Sequence, residues 1–274
     1  MVGFAMTHRV TRLWPLFFAL GLAACGASPP EARRAPDLSG MWSDPPAKAL
    51  DMFCVFACTD VGLEHLAALL DDPANDARSY GELAGDAYAY QAKEYIAPRL
   101  TNAAAATSPL KPLEDRGYLY CEPWGFARQA FAPHQLEIKQ FPDHVELHYG
   151  EWEALRTVYL DGRSVPQDQP HTGLGYSVGH YEGDSLVVET SRVTANDGTL
   201  AVWDARYSDQ LTAVERYRRP SPERLELAAT ISDPWGLREP IELRKVWSYA
   251  PDQKISPYDS CEPAAAKPAA GDTQ

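Results

Sequence analysis

The chain has 274 residues, of which 45% are hydrophobic and 23% are charged. This balance is that of a globular protein, and it excludes intrinsic disorder or a fibrous repeat for the bulk of the chain. The formal net charge is −13, from 25 basic and 38 acidic residues. An acidic protein gains nothing from displacing the counterions of a polyanion, so the composition argues against nucleic-acid binding.

Residues 1–25 have the pattern of an export signal. Arg9 and Arg12 precede an apolar run from Leu13 to Ala24. The run is shorter than the ~20 apolar residues that a membrane-spanning helix needs, which favours a signal peptide over a spanning helix.

The signal ends in Leu-Ala-Ala-Cys at Cys25, which resembles the lipobox of bacterial lipoproteins, where the cysteine carries lipid. The alternative is ordinary cleavage near Ala24. Gly26 follows the cysteine, and within the lipoproteins that the segment resembles this favours sorting to the outer membrane. We therefore expect a lipid on Cys25 as the membrane contact, with the protein facing the periplasm or the cell surface. Residues 26–36 are polar and proline-rich and are interpreted as a tether.

The remaining cysteines predict two disulfides. If Cys25 is lipidated, four are left in an oxidising compartment, namely Cys54, Cys58, Cys121 and Cys261. We favour Cys54–Cys58 and Cys121–Cys261, because the second would tie the end of the chain to the start of the β-rich region. The spacing of cysteines and histidines indicates no metal site, and no cofactor motif is found in the sequence.

Residues 37–262 are predicted to form one β-rich domain. Leu38–Trp42 predicts a first strand. Apolar residues then recur at helical spacing from Val61 to Asp71 and from Ala87 to Leu100, so residues 48–107 are interpreted as a helical insertion. The tail, residues 263–274, is rich in alanine and proline and is predicted to be disordered.

From Tyr118 onward the pattern changes to short strands separated by turn residues such as Asp161-Gly162. Many short strands at this spacing predict an antiparallel β-barrel or a curved sheet. Gly40-Met41-Trp42 resembles the Gly-x-Trp of lipocalins, which makes a lipocalin-like barrel one form of this prediction. The predicted strands are Leu136–Phe141, His144–Tyr149, Ala154–Leu160, Tyr176–Tyr181, Ser185–Thr190, Leu211–Arg218, Leu225–Ile231 and Ile241–Tyr249.

Four ionisable residues are predicted to share the apolar face of their strands, because side chains alternate between the two faces. Burying such a group is costly unless it is paired, so the four would converge inside the barrel. They would form the polar floor of a ligand pocket, an acid/base set, or a structural ion pair between the arginine and a glutamate. The four are Arg156, His180, Glu189 and Glu215.

One Gly-x-Ser-x-Gly string runs from Gly175 to Gly179. A nucleophile elbow needs a helix after the serine, whereas a short strand and a Glu-Gly-Asp turn follow here. Ser177 is therefore not predicted to be a nucleophile.

Several segments together resemble a group of exported bacterial proteins without an assigned activity. These proteins open with Pro-Asp-Leu-Ser-Gly-x-Trp and carry a core of Ser-Val-Gly-x-Trp-Glu-Gly-Asp-x-Leu-Val-Val-Asp/Glu-Thr. This chain has His180-Tyr181 where the group usually has a basic residue and tryptophan. The resemblance covers residues 36–42 and 117–262 and implies no function. Its segments are Pro36–Trp42, Arg156–Arg163, Gly175–Thr190, Glu215–Arg219, Thr230–Pro234 and Trp247.

Three functions remain open at the level of sequence. The first is a membrane-anchored lipoprotein whose barrel binds a small apolar or amphipathic ligand, which the aromatic content favours. The second is an enzyme, either a hydrolase, a lyase or an isomerase, that uses the interior glutamate, histidine and arginine. The third is an interaction module that docks through the helical insertion, residues 48–107.

Overall fold

The structure is a computed structural model that describes residues 3, 35–45, 49–107, 123–150, 152, 154–195, 205–255 and 262. Every described helix and strand belongs to the compact unit Ala35–Gln274. The expected signal peptide, most of the tether and the tail from residue 263 lie outside the described residues. Within the described part of the chain, no helix is both long enough and apolar enough to cross a bilayer.

Nine strands close into a barrel, which confirms the predicted barrel with a helical insertion. Each strand pairs with the next along the chain, and β1 also pairs with β9. The strands are β1 (Gly40–Ser43), β2 (Leu136–Gln140), β3 (His144–Tyr149), β4 (Leu155–Tyr159), β5 (Tyr176–Glu182), β6 (Ser185–Ser191), β7 (Thr212–Ser221), β8 (Arg224–Ser232) and β9 (Ile241–Tyr249).

The barrel is mixed, because β4 and β5 run parallel. An odd number of strands cannot close into a ring with every neighbour antiparallel, so at least one parallel pair is a geometric necessity. Here the pair is joined through Val158 opposite Ser177 and Tyr159 opposite Val178. Residues 160–175 connect the end of β4 to the start of β5 and return the chain along the barrel. The two strands therefore begin at the same end of the barrel.

The helical insertion lies between β1 and β2. It contains α1 (Ala49–Phe53), α2 (Asp60–Asp71), α3 (Tyr80–Gln91) and α4 (Asn102–Ala105), with 3-10 turns at Pro73–Asn75 and Ala97–Arg99 and a π turn at Ala92–Ile96. Thr59 caps α2 by accepting from the backbone of Gly62. Ser79 and Glu82 form a reciprocal capping box at the start of α3. A fifth helix, α5 (Phe126–Gln129), precedes β2.

A second, smaller core joins the insertion to the barrel. Phe53, Leu66, Leu83 and Ala87 from the helices pack with Val246, which faces outward from β9. The predicted Cys54–Cys58 disulfide is present, between the end of α1 and the start of α2. Cys58 also pairs with Arg244 of β9 through backbone hydrogen bonds. Cys121 and Cys261 lie outside the described residues, so the second bridge stays a prediction.

The barrel interior is packed with large apolar side chains, including Trp42, Tyr217 and Trp247. The segment from α5 to residue 134 contributes to this core through Phe126 and Phe131. These described side chains pack the space between the strands.

Candidate functional site

Arg156 and Glu215 both point into the barrel, where they are 3% and 0% exposed. Alternation along the strands explains the placement, because Arg156 shares its face with buried Val158, and Glu215 with buried Ala213 and Tyr217. The two side chains form an ion pair. The interaction spans from β4 to β7, across the two intervening strands.

All of the donors of Arg156 are used in this network. Nε donates to Ser177 Oγ at 2.8 Å, and Nη1 donates to Glu215 Oε1 at 3.0 Å and to the Tyr149 hydroxyl at 3.4 Å. Nη2 donates to Glu215 Oε2 and to Thr190. Five N–H groups with five acceptor contacts leave the guanidinium with no donor for another partner.

The intervening strands β5 and β6 supply the hydroxyl groups of Ser177 and Thr190, which contact the ion pair. Ser177 lies opposite Thr190 in the strand register, and their hydroxyl oxygens are 3.0 Å apart. Tyr217 donates to Glu215 Oε1 at 2.9 Å, and the Phe126 ring centroid lies 4.8 Å from the guanidinium carbon. Sequence reasoning missed these partners, although alternation from Arg156 through the neighbouring strands could have placed Ser177 and Thr190 on the inner face.

The electrostatics favour a charged Arg156 and neutral tyrosines. Burial alone would lower the pKa of Arg156, but the Glu215 carboxylate holds that pKa well above its ordinary value. Burial raises the pKa of both Tyr149 and Tyr217. None of these three groups changes its protonation near neutral pH, which favours a structural role for Arg156 and the two tyrosines.

The other two predicted site residues do not join the cluster, which corrects the expected convergence of four groups. His180 and Glu189 lie on the outer face of the barrel and are exposed. The inner face of β5 carries Ser177 and Gly179 instead. The error arose because Val178 and Val187, which share the outer face with them, are apolar and partly or wholly covered. Where both faces of a strand carry apolar and polar side chains, the alternation of side chains along the strand does not show which face points into the barrel.

A third buried charge, Lys245, was also missed by sequence reasoning. It is 1% exposed and shares the inner face of β9 with Leu243 and Trp247. Its Nζ donates to the backbone carbonyl of Ala132 and lies 4.7 Å from the centroid of the Trp247 ring. Burial lowers the pKa of Lys245 to about 7, with partial opposition from the Asp44 carboxylate.

Where β4 and β5 begin, the surface opens into a cleft of about 840 Å³, which we call the aromatic cleft. The crossover that the parallel pair requires forms part of its wall, through Gln169 and residues 172–175. Arg156 and Ser177 lie at its inner side. Its aromatic lining is Trp124, Trp152, Tyr159 and Tyr176.

The aromatic side chains of the cleft form two pairs. The ring centroids of Trp124 and Trp152 are 6.3 Å apart in an edge-to-face arrangement, and those of Tyr159 and Tyr176 are 5.2 Å apart and stacked. The backbone of Trp152 has φ = 58°, a left-handed conformation that is strained for a bulky residue. Strain of this kind is concentrated at functional sites.

Few of the residues that line the aromatic cleft are charged, although Arg128 lies over the Trp124 ring at 3.9 Å and Arg163 over the Tyr159 ring at 4.0 Å. Among the described residues that line it, Arg156 is the one with an ionised side chain, and Glu215 already neutralises it. Hydrogen-bonding groups come from Thr157, Gln169 and Thr172. The buried Nε1 of Trp124 has no hydrogen-bond partner among the described residues. Sequence periodicity could not reveal this site, because Trp124 and Trp152 lie outside the regular strands.

Among the described residues, no group of three histidine, cysteine or carboxylate side chains lies close enough together to hold a metal ion. Comparison of the chain with protein-family models, with curated proteins and with solved structures finds no match in any of the three. The inference of function therefore rests on the geometry of the molecule.

Proposed function

We propose that the protein is a lipid-anchored bacterial lipoprotein whose barrel binds a small, uncharged amphipathic ligand in the aromatic cleft. The observation that carries this proposal is the cleft of about 840 Å³ lined by two tryptophans and two tyrosines. Binding sites for small molecules are typically about 300–1,000 Å³ and combine apolar walls with a few polar groups.

The chemistry of the lining favours a ligand with a flat or ring-shaped apolar part. Trp152 and the face of Trp124 that is not covered by the Arg128 guanidinium supply aromatic surface, and the tyrosine pair adds apolar area with polar edges. Thr157 and Gln169 can donate to or accept from a hydroxyl or carbonyl group on the ligand. An acceptor on the ligand would also satisfy the Nε1 donor of Trp124.

The state of Arg156 favours an uncharged ligand. A free arginine at the inner side of a cleft would bind a carboxylate or a phosphate, but every donor of Arg156 already has a partner. Replacing Glu215 with a ligand would leave the glutamate charge buried and unpaired, which is strongly unfavourable. The arginine therefore stiffens the wall of the cleft instead of binding an anion.

The proposed anchor is supported by the sequence of the first 25 residues and the lipobox-like segment ending at Cys25. A tether of residues 26–36 reaches at most about 40 Å when fully extended, so the barrel would stay close to the membrane surface. An amphipathic ligand that partitions into that surface would be concentrated near the cleft.

The neutral fluorescent probe N-phenyl-1-naphthylamine tests the proposed site. We expect the purified protein to bind it with enhanced probe fluorescence. Trp152→Ala removes an aromatic wall and Leu155→Asp introduces a charge at the half-exposed rim, so each should weaken binding at least tenfold.

The matched controls carry the same substitutions away from the cleft. Trp235→Ala and Leu70→Asp change exposed residues that do not line it, and they should leave the affinity for the probe unchanged. Equal affinity in the cleft variants and in the controls would refute the aromatic cleft as the binding site.

A further inference from the structure

A second cleft lies between the helical insertion and the outer face of β7, β8 and β9, with a volume of about 720 Å³. It shares no lining residue with the aromatic cleft. We call it the arginine groove, because four arginines stand around an apolar floor. The arginines are Arg216, Arg218, Arg224 and Arg244, and the floor is formed by Leu50, Cys54, Leu63, Ala228 and Val246.

The strand register explains how the groove forms on the sheet. Arg216 of β7 lies opposite Ala228 of β8, which in turn lies opposite Arg244 of β9. Neighbouring strands are about 5 Å apart, so the two arginine Cα atoms are about 10 Å apart. Alanine is too small to fill the space between two arginine side chains, and this leaves a gap flanked by two guanidinium groups.

The charge of the groove differs from that of the whole chain. The chain carries a net charge of −13, whereas the groove is lined by four arginines and three carboxylates, Asp51, Asp60 and Glu226. Glu182 and Asp184, which do not line the groove, also pair with Arg216 and Arg218, so the arginines and their carboxylate partners nearly balance. What distinguishes the groove is the concentration of guanidinium donors around an apolar floor, where an anionic group can replace a carboxylate partner.

Arg216 and Arg244 are held by ion pairs whose carboxylate partners an anionic ligand can replace. Arg216 contacts Glu182 at 2.6 Å, and Arg244 contacts Asp60 at 2.5 Å. In both pairs each side chain is at least half exposed. Exposed ion pairs contribute little stability, so exchanging a carboxylate partner for a ligand anion has a small cost. Each guanidinium also keeps donors that these pairs do not use.

We propose that the arginine groove binds a single-chain amphiphile with an anionic carboxylate or phosphate head. The head lies between Arg216 and Arg244 above Ala228, where planar guanidinium groups can donate pairs of hydrogen bonds to its oxygens. The acyl chain lies along Leu50, Leu63 and Val246, between the helices and the sheet. The groove is a second site, distinct from the aromatic cleft, and it takes an anionic ligand where the cleft takes an uncharged one.

Isothermal titration of the purified full chain with dodecyl phosphate, below its micelle concentration, tests the proposal. We expect saturable binding that is weakened at least tenfold in the double variant Arg216→Gln/Arg244→Gln. Ala228→Trp fills the gap between the arginines and should weaken binding to a similar extent. Decanoate should bind as well, which would show that either anionic head is accepted.

Four controls decide between the outcomes. Arg163→Gln removes an exposed arginine that does not line the groove and should bind dodecyl phosphate like the unchanged protein. Dodecyl maltoside has the same chain with a neutral head, and inorganic phosphate has the head without the chain; both should bind much more weakly. Equal binding of dodecyl phosphate and dodecyl maltoside, or equal binding to the double variant, would overturn the proposal. Trp152→Ala should leave this binding intact, so the result is independent of the aromatic cleft.

Discussion

Arg156 and Glu215 neutralise each other inside the barrel, where both are almost fully shielded from water. Their attraction offsets a large desolvation cost, so the pair adds little net stability compared with apolar side chains of the same size. Its importance is seen when one partner is removed and the other is left as an unpaired charge. The effect of substitution is therefore expected to be strongly non-additive.

We predict that Glu215→Ala and Arg156→Ala each lower the free energy of unfolding by about 3–5 kcal/mol. The double variant Arg156→Met/Glu215→Leu should recover most of this loss, because it leaves no buried charge. Urea denaturation of the three variants measures the effect. Arg163→Gln, in an exposed pair with Asp161, is the control and should leave the denaturation midpoint unchanged. Small, additive effects of the buried substitutions would contradict the account.

Lys245 gives the barrel a dependence on pH with a definite sign. Its pKa is about 7 in the folded protein, against about 10.4 in an unfolded chain. Between these values the unfolded state binds more protons than the folded state, so stability rises as the pH rises. Below pH 7 both states are protonated, and the dependence from this residue disappears.

We predict that the free energy of unfolding increases by about 2 kcal/mol between pH 7 and pH 9 through Lys245. Lys245→Met should remove this increase, because the buried amine is replaced by an apolar side chain of similar length. Urea denaturation of the two proteins at a series of pH values provides the measurement. A pH profile that is the same in both proteins would show that Lys245 does not titrate in this range.

At the scale of elements, the parallel pair β4–β5 determines where the aromatic cleft lies. The crossover returns to the start of β5 at Gly175, which has φ = 72°. A Cβ on Gly175 would lie 2.6 Å from the carbonyl oxygen of Ser191 and 2.9 Å from a methyl group of Val193. Both the backbone conformation and the contact therefore require glycine at this position.

Gly183 offers a matched comparison, because it also has a positive φ, 63°, but open space around the position of its missing Cβ. We predict that Gly183→Ala costs about 1 kcal/mol from the left-handed backbone alone. Gly175→Ala should cost at least twice as much and should also weaken binding of the neutral probe. Urea denaturation and probe titration of both variants test this. Equal costs at the two glycines would show that the contact at Gly175 is relieved without moving the cleft.

Much of the element structure could be predicted from the sequence. The strand positions follow from alternation and turn residues, and α2 follows from apolar spacing. The helix predicted from Ala87 to Leu100 instead begins at Tyr80, after a Ser79–Glu82 capping box that apolar spacing does not reveal, and it ends as a helix at Gln91. The parallel pair could not be read from local patterns, since it follows from closing nine strands into a ring. Faces were assigned correctly where one face was clearly apolar, as for Glu215, and incorrectly where both were mixed, as for His180 and Glu189.

The aromatic cleft was beyond sequence reasoning for a different reason. Trp124 and Trp152 lie on separate loops, and only the closed barrel brings their rings to 6.3 Å. The same holds for the arginine groove, whose arginines come from three strands and whose floor includes residues of two helices. Sites of this kind depend on contacts between distant parts of the chain, which periodicity does not encode.

At the scale of the whole molecule, the proposed lipid on Cys25 is the connection to the membrane. We predict that Cys25→Ser releases the protein from the outer-membrane fraction, because the substitution removes the proposed site of the lipid. Fractionation of cells that express the two forms, followed by mass spectrometry of the mature N-terminus, measures this. An unmodified mature N-terminus beyond Cys25 would contradict the anchor without affecting the proposed binding site.

The central claim is that the aromatic cleft holds a small, uncharged amphipathic ligand. Native mass spectrometry of the protein purified from its host tests this claim most directly. We predict an added mass of a small neutral molecule on the unchanged protein, which is lost in Trp152→Ala and retained in Trp235→Ala. The same added mass on all three proteins, or its absence from the unchanged protein after gentle purification, would contradict the claim.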